Sequence, residues 1–388
     1  MLETLTAPQG QFQLNRFPTE PKTQLRAWDA ADEYLLKWVS EQQFTRNTPR
    51  TLVINDSFGA LSVALAKKKP TMLSDSYLAH QGTLNNLRKN NIDASQIAFH
   101  NSLSWPTGQF DLVIIKIPKS LAMLEDQLHR LRPLLHSKTD IIAAAMCKHL
   151  HTSTLKLFER IIGPTRTSLA KKKARLVFSQ FDDALKIGPS PYPKRYAMEQ
   201  SDYTIINHAN VFSRERLDIG TRFFLQHIPS NLNNKKIIDL GCGNGVVGLL
   251  ASAQNPEAEL LFVDESYMAV ASAKENFQLN LPNHRAEFKV TDCLTDIARS
   301  SADIILNNPP FHQNNTVGDH IAWQMFLQSK LTLKIGGELW VIGNRHLGYH
   351  AKLKRLFGNC TIIASNKKFT ILKSIKPSKL GLNSPYKS

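Results

Sequence analysis

The sequence predicts an α/β fold built from two tandem copies of one open, mostly parallel sheet, the first copy worn. Three observations carry this. In the second half, short apolar runs alternate with amphipathic helical stretches, the pattern of strand–helix–strand crossovers. The last two runs, Cys360–Ser365 and Phe369–Ile375, flank only Asn366-Lys367-Lys368, which predicts a hairpin closing the sheet. The same order of strings recurs in the first half, displaced by roughly 190 residues.

The elements of the second half follow in order. Lys236–Leu240 is an apolar strand, then comes Gly241-Cys242-Gly243-Asn244-Gly245, and Val246, Val247, Leu249 and Leu250 begin a helix. Glycines at such a turn let the chain bend sharply and let a ligand approach without a Cβ in the way. Gly243-x-Gly245-x-x-Gly248 also matches the dinucleotide fingerprint, a weak signal that any glycine-rich strand-to-helix turn produces. Cys242 suits this loop by its small size. Glu259–Asp264 is a second strand ending in an acid, Tyr267–Asn280 a helix, and Ala286–Val290 a third strand leading to Thr291-Asp292-Cys293. Ala302–Leu306 is a buried strand, Ile321–Leu333 a helix, Gly337–Gly343 a strand and Tyr349–Phe357 a short helix.

In the first half, Thr51–Asp56 with Phe58-Gly59 parallels Lys236–Leu240 and its glycine loop. Asp75-Ser76-Tyr77 parallels Asp264–Tyr267, and Phe110–Pro118 parallels Ala302–Pro309. Lys148-His149-Leu150 matches Arg345-His346-Leu347, Gly163 matches Gly358, and Lys171-Lys172-Lys173 falls near Lys367-Lys368. The first copy lacks the chemistry of the second. Ser57-Phe58-Gly59 replaces the glycine loop, where Phe58 would obstruct a ligand, and Ile117-Pro118-Lys119-Ser120 replaces Asn308-Pro309-Pro310-Phe311. The expected division is a degenerate domain over residues 1–187, a linker over 188–199 marked by Gly188–Pro193, a complete domain over 200–376 and a flexible basic tail over 377–388. Residues up to Thr23 show no periodicity, and Trp28–Val39 reads as an amphipathic helix.

Composition narrows the class. With 388 residues, 42% apolar and 21% charged, the chain has room for two folded domains. No apolar run reaches membrane-spanning length and nothing resembles a signal peptide, so a cytoplasmic protein is expected. The four cysteines form no CxxC pair and no metal-ligand spacing; reduced thiols and no metal are expected. The net charge is +16; residues 1–200 hold 27 Lys/Arg against 17 Asp/Glu, a surplus of 10, which leaves +6 for the rest. Both halves are basic, which suits a polyanion such as RNA or DNA, against the alternative of a basic surface kept for solubility.

The most informative stretch is Asn308-Pro309-Pro310-Phe311, at the end of the Ala302–Leu306 strand, where open α/β sheets bind ligands. Asn308 offers a side-chain acceptor and Pro309 a carbonyl. The prolines stiffen the turn, and Phe311 offers a flat face. Such a set suits a planar group bearing an –NH2. The alternative is a Pro-rich turn with a buried Phe. The string resembles the Asn/Asp-Pro-Pro-aromatic signature of S-adenosyl-L-methionine (SAM) dependent methyltransferases that act on amino nitrogens. The acids then find places. Asp239 would orient the loop or attract the ammonium of SAM. Asp264, about twenty residues past the glycines, would bind ribose hydroxyls or cap the next helix. Asp292 would accept from the adenine amine or serve as a turn residue.

The whole chain resembles the bacterial ribosomal RNA guanine-N2 methyltransferases, the large-subunit type above all. The resemblance rests on Ala27–Leu36, His208–Arg214, Val263–Ser266, Asn308–Gln313 and Phe357–Cys360, together with the two-domain plan. It implies tandem class I, Rossmann-like methyltransferase domains, SAM as methyl donor, and the N2 of one guanine in 23S rRNA as acceptor. By the same resemblance Val211–Thr221 closes over the methionine end of SAM through Phe212, Asp218 and Gly220; core packing is the alternative for Phe212. Gly241, Cys242, Gly243 and Gly245 would line the cofactor. Basic residues Lys67, Lys68, Lys69, Lys171, Lys172 and Lys173 would dock RNA, or else are solvated charge runs. Arg345 and His346 would touch RNA or merely precede a helix. Competing functions are a 16S rRNA enzyme of the same kind, a DNA adenine-N6 or protein glutamine methyltransferase, and a non-enzymatic RNA-binding module.

Overall fold

The computed structural model describes all residues except 1–2, 20–24, 45–48, 233, 311–315 and 379–388, with the side chains of 316–319 also outside the description. The chain divides into two compact units, Met1–Pro193 and Lys194–Ser388. Most of the expected tail, from 379 onward, lies outside the described residues.

The first unit opens with a hairpin, β1 (Glu3–Ala7) and β2 (Gly10–Leu14). Its strands are polar and each buries one leucine, Leu5 and Leu14, so no period shows in the sequence. Helix α1 (Ala30–Glu41) follows, shifted two residues from the expected Trp28–Val39 because Asp29 caps it in a reciprocal capping box with Asp32. Then come β3 (Thr51–Ile54), α2 (Ala60–Ala64), β4 (Thr71–Ser74), α3 (Tyr77–Lys89), β5 (Ala98–Asn101), β6 (Leu112–Lys116), α4 (Leu121–Leu131), β7 (Asp140–Met146), α5 (Thr152–Ile161), β8 (Thr165–Thr167) and β9 (Ala174–Ser179). The sheet order is β5-β4-β3-β6-β7-β9-β8, parallel except at β9.

The second unit also opens with a hairpin, β10 (Lys194–Ala197) and β11 (Thr204–Asn207). Within the expected linker over 188–199, Lys194–Ala197 are a strand of this unit. There follow α6 (Ile219–Leu225), β12 (Lys236–Leu240), α7 (Val246–Gln254), β13 (Glu259–Asp264), α8 (Tyr267–Asn280), β14 (Ala286–Val290), β15 (Ala302–Asn307), α9 (Thr316–Thr332), β16 (Leu333–Asn344), α10 (Tyr349–Phe357), β17 (Thr361–Ser365) and β18 (Phe369–Ile375). Strand β16 begins earlier than Gly337 because Leu333 already pairs with Ala302; Gly336 at φ +79° and a register shift then break its period. The order β14-β13-β12-β15-β16-β18-β17 repeats the first sheet position for position.

Each sheet is buried on both faces, as crossover helices require. In the second unit Ile304, Leu306, Trp340 and Ile342 face one core, while Ile305, Leu339 and Val341 face the other. The hairpins are held alike. Asn86 and Asn90 accept from Asn15 and Gln13 and donate back to their carbonyls; Asn276 and Asn280 do the same to Ile206 and Thr204.

The strand pairings fix how the copies align, one residue away from several of the sequence parallels. Gly59 and Gly245 both open a helix, at φ +82° and +78°. Counting along the paired strands from there sets Asn55 on Gly241, Val53 on Asp239, Ser57 on Gly243, Ser74 on Asp264 and Leu103 on Asp292. Lys116, not Ile117, falls on Asn308, and Cys147 falls on Arg345. Phe58 falls on Asn244 rather than on a glycine, and its ring packs against Gly82 under Arg16. It does not fill the loop, so the expected obstruction is not the lost feature.

At the Lys116 position the first unit holds an ion-pair cluster. Lys116 Nζ lies 2.7 Å from Asp29 Oδ1 and 2.9 Å from Asp32 Oδ1. Burial opposes the charge on Lys116, but Asp32 and Asp29 outweigh it and hold the amine above its usual range. Burial pushes Asp32 up to about 6 despite Lys116. Removing the amine leaves two carboxylates facing each other. Lys116→Ala is expected to cost the first unit about 3 kcal/mol in urea unfolding, the low end for a broken buried pair because Asp29 keeps contact with water.

Candidate active site at the carboxyl edge of the second sheet

The glycine turn sits between β12 and α7, beside the point where strand order reverses from β12 toward β15. In open α/β sheets that crevice binds ligands. Gly241, Gly243 and Gly245 take φ +70°, +55° and +78°, a region L side chains rarely adopt. Their neighbourhoods differ. A Cβ on Gly245 would meet Ala273 at 2.7 Å, so this glycine lets α7 pack against α8. A Cβ on Gly243 would meet nothing within 4 Å among the described residues, so this side of the loop is an open cradle.

Two carboxylates shape the turn. Asp239 is buried, and its Oδ2 accepts from the Gly248 amide at 2.8 Å. Burial pushes its pKa up to about 8, against the Gly248 N–H and with help from Asp264. Asp264 accepts from the Gly243 amide at 3.0 Å and from the Ser266 amide at 3.0 Å. It is not the helix cap: Ser266 caps α8 by accepting from Ala269. Asp292 is buried, takes a 2.9 Å hydrogen bond from Gln324 Nε2, and is raised by burial. Cys242 is buried in the core, and burial, with Asp264 and Asp239, raises its thiol, which leaves it unreactive.

On the other side of the crevice, α6 reaches the end of β15. Asp218 caps α6, its Oδ2 accepting from the Thr221 amide at 2.9 Å and from the Thr221 hydroxyl at 3.5 Å. Asn308 donates from Nδ2 to Thr221 Oγ1 at 3.1 Å. Asn308 Oδ1 is buried and has no hydrogen-bond partner among the described residues. Thr221 carries no catalytic signature in the sequence; it belongs to the site only because α6 packs there. Gly220 sits where a Cβ would meet Phe369 Cε1 at 3.0 Å, so close packing explains it.

Phe212 is 70% exposed, which overturns core packing for it. Phe311 lies outside the described residues. Pro309 is buried and Pro310 partly so. Arg345 and His346 are exposed on a short 3-10 turn directly after β16, on the same edge as Asn308. Lys171, Lys172 and Lys173 are exposed at the β8–β9 turn, on the carboxyl edge of the first sheet, with Lys172 2.7 Å from Glu33. Lys67, Lys68 and Lys69 precede β4, on the opposite edge, so the two clusters do not form one patch. Among the described residues no helix is long and apolar enough to cross a membrane, and no cluster of three metal-ligating side chains occurs.

Most of the chain is matched by known families. Residues 2–183 match the RLMG N-terminal domain and residues 202–373 the methyltransferase small domain. The chain is 49% identical over 381 residues, 97% of it and all of the relative, to a Streptomyces avermitilis protein named ribosomal RNA large subunit methyltransferase G. A Klebsiella pneumoniae protein of the same name is 51% identical, covering 95% of this chain and 97% of the relative. The solved structure of the T. thermophilus 16S rRNA N2 methyltransferase, in complex with AdoMet and guanosine, superposes with a TM-score of 0.74 over 97% of this chain and 98% of its own, at 19% identity, and so shares the fold.

The Asp239 carboxyl gives a test that needs no substrate. Its folded-state pKa of about 8 lies above the carboxylate value of 3.8. The folded state therefore holds the proton more tightly, and this group's stabilisation is complete below about pH 4 and lost as pH rises through 8. Asp239→Asn keeps an acceptor for Gly248 without the charge. The variant is expected to gain on the wild type steadily in urea midpoints from pH 5 to pH 8; a constant gap would refute the assignment.

Proposed function

The chain belongs to the ribosomal RNA large subunit methyltransferase G family, and from that premise we propose that it transfers a methyl group from SAM to the exocyclic N2 of a guanine in 23S rRNA. The products are N2-methylguanine and S-adenosylhomocysteine. The observation that carries the reading is the buried Oδ1 of Asn308, without a hydrogen-bond partner among the described residues. An amide oxygen withheld from water costs about 1–3 kcal/mol unless a donor reaches it, and a purine amine is such a donor.

The residues fit the cofactor. The open side of Gly243 admits a ligand to the backbone. Asp264, at the end of β13, would meet the ribose hydroxyls and Asp292 the adenine amine, while Asp239, buried against the Gly248 amide, would orient the glycine turn around the methionine moiety rather than hold its ammonium. Asp218, Gly220 and exposed Phe212 border the methionine end. SAM supplies a methyl group on a sulfonium, already activated for transfer.

The protein's task is to make a poor nucleophile attack. The lone pair of the guanine amine is delocalised into the ring. Asn308 Oδ1 and the Pro309 carbonyl would hold its two N–H bonds, turning the nitrogen toward sp³ and aiming its lone pair across the crevice. Positioning and fixed dipoles supply the acceleration. No strong base precedes transfer, since the nitrogen becomes acidic only once methylated and then releases its proton to water. Phe311 is placed by sequence to stack on the base, which folded RNA must present unpaired or flipped.

The first unit, with its cofactor positions occupied by Val53, Ser57, Ser74 and Leu103, then serves to dock RNA. The Lys171–Lys173 turn is the favoured contact, since it shares its sheet edge with the lost site. Replacing Lys171 and Lys173 by Glu is expected to weaken rRNA binding and flatten its salt dependence; an unchanged Kd would exclude that turn.

Labelled SAM, incubated with separated 16S rRNA, 23S rRNA and DNA and followed by nucleoside digestion, tests the function. Label in N2-methylguanosine from 23S rRNA is expected; label in methyladenosine or in protein would overturn the reading. In the same assay Asn308→Ala is expected to bind SAM nearly as the parent does and to lose turnover on the order of a hundredfold or more. Thr221→Val, which frees the amide to rotate, is expected to lose about tenfold or more in kcat with little change in SAM affinity. Normal turnover of Asn308→Ala at saturating RNA would remove the mechanism.

A further inference from the structure

We propose that Asn344 is a specificity-determining residue, its side-chain oxygen accepting the N1–H of the target guanine. The proposal rests on the guanine-N2 reading above. Asn344 ends β16, the strand next to β15, and is 7% exposed. Its Oδ1 is buried without a hydrogen-bond partner among the described residues.

Its face and level follow from the ladder. Asn307 pairs with Val341, which sets Asn308 level with Ile342 and leaves Asn344 two residues further toward the carboxyl edge. Side chains alternate along a strand. Ile304 and Leu306 face one core, so Asn308 continues on that side; Trp340 and Ile342 face the same core, so Asn344 does too. Asn344 lies directly opposite Phe369, whose ring approaches Gly220, the neighbour of Thr221. Two orphaned amide oxygens thus share one face and one edge, on adjacent strands. Asn307 carries a third, but its amide donates to the Leu240 carbonyl and lies near Met325, a member of the other core.

Two acceptors side by side suit the base. In guanine the 2-amino group and N1–H are adjacent donors on one edge. An acceptor on β15 for the amine calls for another beside it, on the side away from the acids on β12 and β13. Adenine and 2,6-diaminopurine present a bare N1 there and would set two lone pairs against each other. The first unit supports the pairing of roles: where Asn308 becomes Lys116, Asn344 becomes Met146, so both acceptors are lost together.

The test uses an RNA bearing either guanine or 2,6-diaminopurine at the methylated position, once that position is mapped with the wild-type protein. Both bases carry the 2-amino group; only guanine has N1–H. The wild type is expected to favour guanine by about tenfold or more in kcat/KM. Asn344→Ala is expected to lose about as much on guanine, to bring the ratio toward one, and to keep its SAM affinity. Asn344→Asp, still an acceptor, is expected to restore the preference. Should the alanine variant not fold, Asn344→Met, the residue at this place in the first unit, carries the same expectations. An unchanged ratio, or a loss confined to SAM binding, overturns the proposal. Failure of the functional reading itself is seen earlier, as wild-type label outside guanine N2.

Discussion

The hydrogen bond from Asn308 to Thr221 decides what this site can do. A hydroxyl has one proton. Asp218, which caps the helix, can only accept, so the Thr221 proton is directed to it. The lone pair of Thr221 then faces Asn308, and the amide must turn its NH2 that way. Oδ1 is left pointing elsewhere, fixed and without a partner among the described residues. A helix cap on one element thereby sets the acceptor on another. The prolines that follow restrict the strand end, so the oxygen has little freedom to seek water.

The first unit has the same frame with the opposite charge logic. Asp29 caps α1 as Asp218 caps α6, and Asp32 holds the place of Thr221 in the first turn. Lys116 replaces Asn308 and is neutralised by both acids. A neutral relay with an acceptor to spare has become an ion-pair cluster with none. Lost acids elsewhere follow suit: Val53, Ser74 and Leu103 stand where Asp239, Asp264 and Asp292 stand in the second unit. Asp56 takes over the loop, accepting from the amides of Gly59, Leu61 and Ser62, so the turn survives without a ligand to shape it.

Much of this was legible in the sequence, and the reasons differ by element. Strands such as Lys236–Leu240 and Ala286–Val290 were found at their ends because strong punctuation bounds them. The Tyr267–Asn280 helix was found because its apolar period is long. The hairpins at Glu3–Leu14 and Lys194–Asn207 are not legible because their strands are only four or five residues long and, β11 apart, bury at most one side chain each. The repeat was visible, but only hydrogen-bonded register moved Lys116 onto Asn308. In the site, glycines and acids on strand ends were readable from spacing. Thr221 and Asn344 were not, because neither belongs to a local pattern; tertiary packing alone brings them to the edge.

The asparagine clamps on the two hairpins extend the likeness of the two units beyond their sheets. Asn86 and Asn90 hold β1–β2 as Asn276 and Asn280 hold β10–β11, although the chemistry around them has diverged. The likeness of the two units therefore starts at the hairpin, not at the first parallel strand, and each unit carries its own buttress.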